Sequence, residues 1–125
     1  MLTITKAFTF DCAHVLRNYD GKCNNLHGHT FRLEVTIRPS EYLPQAPENM
    51  IMDFGDLKKI VKETIIDELD HKFINDVVKA DNCTSEFLVQ YIVDKLYPLF
   101  KDSLVSIKLY ETQDSWCEWR AKYVY

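Results

Sequence analysis

Three of the four histidines lie in phase with the apolar face of a predicted β-strand. In His27-Gly28-His29 the two imidazoles are two residues apart, so on a strand they point to the same face. His14 continues the apolar alternation of an N-terminal strand, which can pair with the next strand as a hairpin. Three neutral imidazoles leave one tetrahedral position open, the ligand count of a catalytic zinc site. We predict that His14, His27 and His29 bind Zn²⁺.

Cys23 lies four residues before His27, and two roles fit it. As a fourth ligand, its thiolate would close the coordination sphere and make a structural zinc site. As a separate thiolate beside the metal, it would be a reactive group rather than a ligand. Gly28, between two of the histidines, permits tight or left-handed backbone where the ligands converge.

Asp70 and His71 form a second candidate group, directly after the apolar pattern of a predicted helix. A carboxylate beside an imidazole orients it and adjusts its pKa, which suits general acid–base catalysis. The alternative is an ordinary favourable charge at a helix C-terminus. A zinc site that only stabilises the fold needs no such pair, so the pair favours a reactive Cys23.

Glu111 is a carboxylate where a strand pattern predicts a hydrophobic residue. It follows the apolar row Val105, Ile107 and Leu109 at the same spacing of two. A solvated acid at a strand end is the alternative. A zinc site that only stabilises the fold does not need this carboxylate either.

Four strands are predicted to carry these groups. Residues 2–12 and 30–38 alternate between apolar and polar, the row at 105–109 is a third strand, and 116–125 is an aromatic-rich fourth. The predicted helices lie between the second and third strands. The first begins at Asp53 or Asp56 and runs through Leu69; the second is capped by Thr84, with Glu86 in its first turn, and stops at Pro98.

This order, ββααββ, predicts an α+β fold with an antiparallel sheet and both helices on one face. The chain has 125 residues, 46% of them hydrophobic, which suits one domain spanning 1–125. Its net charge of −4 argues against nucleic-acid binding. No segment approaches the roughly 18 apolar residues of a membrane span. We therefore expect a cytoplasmic protein with free thiols at Cys12, Cys23, Cys83 and Cys117.

Taken together, four motifs carry a family resemblance. They are Phe10-Asp11-Cys12-Ala13-His14, Cys23-x3-His27-Gly28-His29, Asp70-His71 and Tyr110-Glu111-Thr112. In this order they resemble the 6-pyruvoyl-tetrahydropterin synthase superfamily, specifically its 6-carboxy-tetrahydropterin synthase branch. The chain departs from the family pattern at Cys12, Cys83 and Phe87, where the family usually has Ala, Pro and Asn.

The resemblance implies a T-fold, with a four-stranded antiparallel sheet, and a homo-hexamer of two stacked trimers. Active sites at subunit interfaces would bring Asp70 and His71 to the Cys23 of a neighbouring subunit. It also implies a substrate, 7,8-dihydroneopterin triphosphate. The products would be 6-carboxy-5,6,7,8-tetrahydropterin, acetaldehyde and triphosphate, on the route to queuosine.

The resemblance also implies a role for each group. Cys23 would take a proton from the substrate side chain, His71 oriented by Asp70 would relay protons, and Glu111 would anchor the pterin. Thr84 and Ser85 would donate hydrogen bonds to the pterin, or cap the second helix. Lys6, Arg17 and Lys22 are the candidate cations for the triphosphate.

Two alternatives remain open at this stage. A 6-pyruvoyl-tetrahydropterin synthase eliminates triphosphate from the same substrate but keeps the side-chain carbons, and the shared motifs do not separate the two. A relative that makes a folate precursor typically has Glu in place of the reactive Cys, so Cys23 counts against it. From another class, the chain would be a non-enzymatic binding module held together by zinc.

Overall fold

The described residues form a four-stranded antiparallel sheet with helices inserted between its second and third strands. This computed structural model describes residues 2–16, 27–40 and 50–122, and of His27 only the backbone. The strands, in spatial order, are β1 (Ile4–His14), β2 (His27–Ile37), β3 (Leu104–Thr112) and β4 (Ser115–Arg120). The helical segments are α1 (Phe54–Val61), a π-helical turn (Lys62–Ile66), α2 (Asp67–Leu69), α3 (Ile74–Val78), α4 (Ser85–Phe100) and a 3₁₀ turn (Lys101–Ser103). The predicted ββααββ order is confirmed, with α3 as an addition.

One face of the sheet carries the hydrophobic core. Phe31, Leu33, Val35 and Ile37 of β2 are all fully buried, as their alternation predicts. Burying each such side chain stabilises the folded state by roughly 1.5–3 kcal/mol relative to leaving it exposed to water. The helices cover this face with buried side chains of α1 and α4: Leu57, Val61, Leu88, Val89, Ile92, Val93, Leu96 and Phe100. Side chains that share this face are therefore held between the sheet and the helices.

Both long helices begin at side-chain caps. The Asp53 carboxylate accepts hydrogen bonds from the backbone N–H groups of Gly55 and Asp56, so Asp53 is the cap that the sequence left open between two aspartates. Thr84 Oγ1 accepts from the N–H of Phe87 and caps α4, as predicted. No helix within the described ranges is long and apolar enough to cross a membrane.

The C-terminal end of α4 differs from the prediction. The helix passes through Pro98 and ends at Phe100, so the expectation that Pro98 stops it was wrong. Pro98 lies in the last turn, where the missing N–H removes a single bond. Phe100 is only 1% exposed, and its burial in the core holds the final turn in place.

The strand ends also differ in detail. β1 runs on to His14 and β2 begins at His27, so the histidines lie inside paired strands rather than beyond them. In β3 the register shifts opposite Thr36 and Ile37, which buries Leu104 and leaves Val105 only partly buried. β4 ends at Arg120 rather than reaching residue 125, and residues 123–125 lie outside the described ranges.

The segment after α2 runs beside β1, at the edge of the sheet. The Ala13 N–H donates to the carbonyl of Lys72 at 3.0 Å, and Ala13 pairs with Phe73 in a parallel bridge. These contacts place residues 70–73 along the outer edge of β1. The Asp70-His71 pair is therefore held next to the strand that carries His14.

Candidate active site

Two imidazoles and a carboxylate converge on the helix-facing side of the sheet. His14 Nε2 lies 3.6 Å from Glu111 Oε1, and His29 Nε2 lies 3.2 Å from the same oxygen. One nitrogen or oxygen from each residue lies within 4.8 Å of the others. His14 is 3% exposed, whereas His29 and Glu111 are 21% and 28% exposed. The two facing Nε2 atoms are themselves buried, so the centre of the cluster is enclosed, while other parts of His29 and Glu111 reach the surface.

Strand pairing brings this cluster together. β1 and β2 are antiparallel, with Cys12 opposite His29 and His14 opposite His27. This confirms the predicted hairpin, and it places the backbone of His27 beside His14. The His27 side chain lies outside the described part of the structure. Glu111 joins from the end of β3, next in the row after the buried Ile107 and Leu109, as the sequence predicts.

The His14 ring is oriented by a backbone carbonyl. Its Nδ1 lies 2.9 Å from the carbonyl oxygen of Cys83, in a buried contact. A carbonyl only accepts, so Nδ1 carries the proton and Nε2 carries the lone pair that a metal binds. Nε2 faces Glu111, toward the centre of the cluster. Two imidazole nitrogens and a carboxylate oxygen are a ligand set that zinc accepts.

The Glu111 carboxylate is held at its second oxygen. Ser85 Oγ donates to Glu111 Oε2 at 2.9 Å, which leaves Oε1 on the side of His29. Ser85 is the first residue of α4, so the start of this helix is tied to the cluster. Thr84, the residue before it, uses its hydroxyl oxygen to cap the helix. The structure thus supports the capping role for Thr84 and assigns Ser85 to the carboxylate.

Asp70 and His71 are in direct contact. His71 Nδ1 lies 3.0 Å from Asp70 Oδ1, which also accepts the N–H of Asp11 at 2.9 Å. The Asp11 N–H and, secondarily, His71 lower the pKa of Asp70. His71 has a φ of 60°, in the left-handed region, and its N–H donates to the carbonyl of Asp11. The pair is therefore fixed by β1 although His71 is 77% exposed.

One member of each group lines the same cleft. The cleft has a volume of about 590 Å³, and its lining includes His29 and His71. Asp11 lies in its wall and accepts a hydrogen bond from Thr30 Oγ1 of the neighbouring strand. An exposed imidazole and a candidate ligand thus border the same space.

Three of the four cysteines lie in the described part of the structure, and the fourth does not. Cys23 lies in 17–26, outside the described residues. Cys12, Cys83 and Cys117 are free thiols, as predicted. Burial raises the pKa of Cys12 to about 12 and that of Cys83 to about 11. In the metal-free chain both thiols are therefore protonated near neutral pH.

Two minor predictions concern the surroundings of the cluster. Gly28 does not adopt a left-handed conformation, because strand pairing rather than a turn brings the histidines together. Among the described residues, a Cβ there would meet the Cys12 carbonyl at 3.7 Å. Lys6 lies eight residues before His14 on one strand, about 26 Å away at roughly 3.3 Å per residue. Lys6 therefore lies far from this cluster in its own chain, and its role toward the triphosphate stays a prediction. Arg17 and Lys22 lie outside the described residues.

Sequence reasoning missed two groups. Asp11 looks like an ordinary polar residue on an alternating strand, yet its backbone holds both Asp70 and His71. Asp11 lies opposite Thr30 in the pairing of β1 with β2, and the sequence alone does not show this pairing. The Cys83 carbonyl leaves no trace in the sequence, because any residue could supply it.

The fold and this cluster define a small α+β protein of the enzyme type, with an antiparallel sheet and a group of His and Glu side chains that could bind a metal ion. The sequence matches the 6-pyruvoyl tetrahydropterin synthase family model over residues 3–122, and the chain belongs to that family.

Individual relatives agree with this assignment. The 6-carboxy-5,6,7,8-tetrahydropterin synthase of Haemophilus influenzae is 38% identical and aligns with 96% of this chain and 99% of its own length. The 6-pyruvoyl tetrahydrobiopterin synthase of Dictyostelium discoideum is 39% identical over 82% of this chain and 76% of its own. The structure of Caenorhabditis elegans 6-pyruvoyl tetrahydropterin synthase superposes with a TM-score of 0.80 at 25% identity, covering 97% and 96% of the two chains. The predicted T-fold and family are confirmed.

Proposed function

We propose that this chain is a zinc-dependent 6-carboxy-5,6,7,8-tetrahydropterin synthase. The observation that carries the proposal is the convergence of His14, His29 and Glu111 beside a cleft that His71 also borders. The Haemophilus influenzae relative, which aligns along nearly the whole chain, supports the choice of activity. The reaction would convert 7,8-dihydroneopterin triphosphate and one water into 6-carboxy-tetrahydropterin, acetaldehyde and triphosphate.

His14 and His29 would hold the metal, with His27 as the third ligand. The Cys83 carbonyl supports this role for His14, because it fixes the tautomer whose Nε2 lone pair points into the cluster. Zinc, when bound, would act as a Lewis acid that lowers the pKa of the substrate's side-chain hydroxyls. The three imidazoles would keep it in place without adding negative charge.

Glu111 would anchor the pterin by accepting two N–H groups from the ring edge. The bond from Ser85 supports this, because it fixes the plane of the carboxylate before the ligand arrives. A second reading makes Glu111 a metal ligand, since its Oε1 lies near both imidazoles. Glu111→Gln separates the two: an anchor predicts retained zinc and a raised KM, whereas a ligand predicts weaker zinc binding.

Cys23 and the Asp70-His71 pair would move protons. Cys23, as a thiolate, would remove a proton from the side chain, and His71 would transfer protons while Asp70 orients its ring. The exposure of His71, 77%, suits a group that is completed by a second copy of the chain. We propose accordingly a hexamer of two trimers, with active sites between subunits, in the cytoplasm and on a queuosine-type route. Each subunit would be one T-fold domain, 1–125.

A second candidate is the 6-pyruvoyl activity. The relative from Dictyostelium discoideum favours it, because its identity to this chain, 39%, is no lower than that of the 6-carboxy enzyme. The test is to incubate the purified protein with 7,8-dihydroneopterin triphosphate and to determine product masses. We expect a carboxylated pterin and acetaldehyde. A product that retains the side-chain carbons would replace our proposal with the second candidate.

A non-enzymatic module held together by zinc is the alternative from another class. Cys23→Ala distinguishes it, with bound zinc, thermal unfolding and turnover measured on the same samples. The enzyme predicts that zinc and fold persist while turnover is lost. The module predicts that zinc retention and stability both fall.

A further inference from the structure

Asn75 is a buried amide that is almost completely enclosed by backbone groups. It lies in α3, is 4% exposed, and makes four hydrogen bonds through its side chain. Oδ1 accepts the Val15 N–H at 3.0 Å, and Nδ2 donates to the Val15 carbonyl at 2.9 Å. Nδ2 also donates to the carbonyls of Ala80 and Asp81 at 2.9 and 3.0 Å. An amide has two N–H bonds, so one of them is shared between two of the three carbonyls.

The amide joins the two segments that meet at His14. Val15 directly follows His14, and the Asn75 side chain pairs with both of its polar backbone groups as a neighbouring strand would. Ala80 and Asp81 begin the segment that leads, two residues later, to the Cys83 carbonyl on His14 Nδ1. A bridge between Leu16 and Asn82 continues the same pairing.

We infer that Asn75 is a positioning residue for the metal site, acting through His14. It fixes the backbone that carries the imidazole and also the loop whose carbonyl orients that imidazole. If either moved, Nδ1 would lose its acceptor and Nε2 its direction. The inference rests on the proposed role of His14 as a metal ligand. It adds a residue that contacts neither the metal nor the substrate.

The chemistry of the site explains why an amide is needed. One oxygen must accept an N–H while one nitrogen faces three carbonyls, and a carboxylate would place negative charge against those carbonyls. Alanine would leave the Val15 N–H and three carbonyls without these bonds in a buried place. A general loss of stability would follow from either change, so the test must separate stability from metal binding.

The experiment compares Asn75→Ala with a control that damages the core elsewhere. Leu104→Ala serves this purpose, because Leu104 is 1% exposed and begins β3, at the opposite end of the strand from Glu111. Zinc affinity of the full chain is measured by competition with a chromogenic chelator, and thermal unfolding on the same metal-free samples. We expect Asn75→Ala to weaken zinc binding about tenfold, at the lower end of losses for outer-shell partners. Leu104→Ala should keep wild-type affinity despite a similar drop in Tm.

The outcomes distinguish this inference from the proposed function. Wild-type protein that fails to bind zinc overturns both. Zinc binding by the wild type, with equal affinity in Asn75→Ala or an equal loss in Leu104→Ala, overturns the inference alone. If Asn75→Ala does not fold, hydrogen exchange in the metal-free wild type decides. We expect the His14 Nδ1 proton and the Val15 amide to exchange through one common opening, and rapid exchange of the first beside a protected second contradicts the inference.

Discussion

The His14-His29-Glu111 cluster and the Asp70-His71 pair are built in opposite ways. His14 is 3% exposed, and its ring is held between the sheet and a buried carbonyl. His71 is 77% exposed, and within the described residues Asp11 holds its backbone and Asp70 its Nδ1. One imidazole is buried and oriented by contacts within its own chain, whereas the other presents most of its surface to solvent.

This difference separates two kinds of chemical work. A metal ligand must keep one geometry, and packing against Phe31, 5.6 Å between ring centroids, supplies that for His14. A proton carrier must reach the substrate and return its proton to solvent or to a partner. Exposure with one fixed nitrogen suits that task. The predictions below test whether the two regions separate in this way.

The largest effect is expected from His14→Ala. Zinc affinity should fall by more than about 100-fold, since outer-shell losses alone cost about 10–100-fold. Turnover should fall with it, because the remaining ligands would not hold the metal. Competition with a chelator and bound-metal analysis measure the first, and product formation the second. Unchanged zinc affinity in a folded variant would remove His14 from the ligand set.

His71→Ala should impair the Asp70-His71 pair and leave the metal site intact. We expect turnover to fall by about 10²–10⁴-fold, the range for a general acid–base group, with zinc affinity unchanged. Because the side chain is largely exposed, Tm should change little. Zinc content, Tm and turnover on one preparation provide the comparison with His14→Ala. A loss of zinc equal to that of His14→Ala would show that the two regions are a single unit.

Alternation and capping predicted most of the fold. The β2 pattern from Phe31 to Ile37 is buried without exception, and Thr84 caps α4 as its position indicated. The prediction that Pro98 ends α4 was wrong because the burial of Phe100 in the core outweighs the loss of one backbone hydrogen bond. Local propensity carries no information about such distant contacts.

The sequence predicts the parts of the site that depend on alternation along a strand. It does not predict the parts that depend on which segments lie side by side. His14, His29 and Glu111 share a face because each continues an apolar row, and this is visible in the sequence. The contacts of Asp11 and of the Cys83 carbonyl depend on which segment lies beside β1. That arrangement is set by packing of the whole domain, so no local pattern reports it.

Ser85→Ala and Thr84→Ala compare a residue that contacts the site with a neighbour that only caps the helix, both at the start of α4. Ser85 holds the Glu111 carboxylate, and hydrogen bonds to charged groups are worth about 1.5–3 kcal/mol, so its removal should raise KM about tenfold or more. Thr84 caps α4, so its removal should cost about 1 kcal/mol of folding stability and change KM much less. Steady-state kinetics and denaturant unfolding measure the two effects. Equal KM changes in both variants would contradict the division of roles.

The smallest effect concerns Asp70, at the exposed edge. Its pKa is lowered in the folded state by the Asp11 N–H and by His71, so it stabilises the fold above its unfolded pKa of about 3.9. This contribution is lost as the pH falls through the lower folded value. The stability gap between wild type and Asp70→Asn should therefore shrink on acidification below about pH 5. Denaturant unfolding of both proteins across this range measures the gap. A gap that widens toward low pH would mean that folding raises the pKa of Asp70, and the edge pair would then lack the arrangement that orients His71.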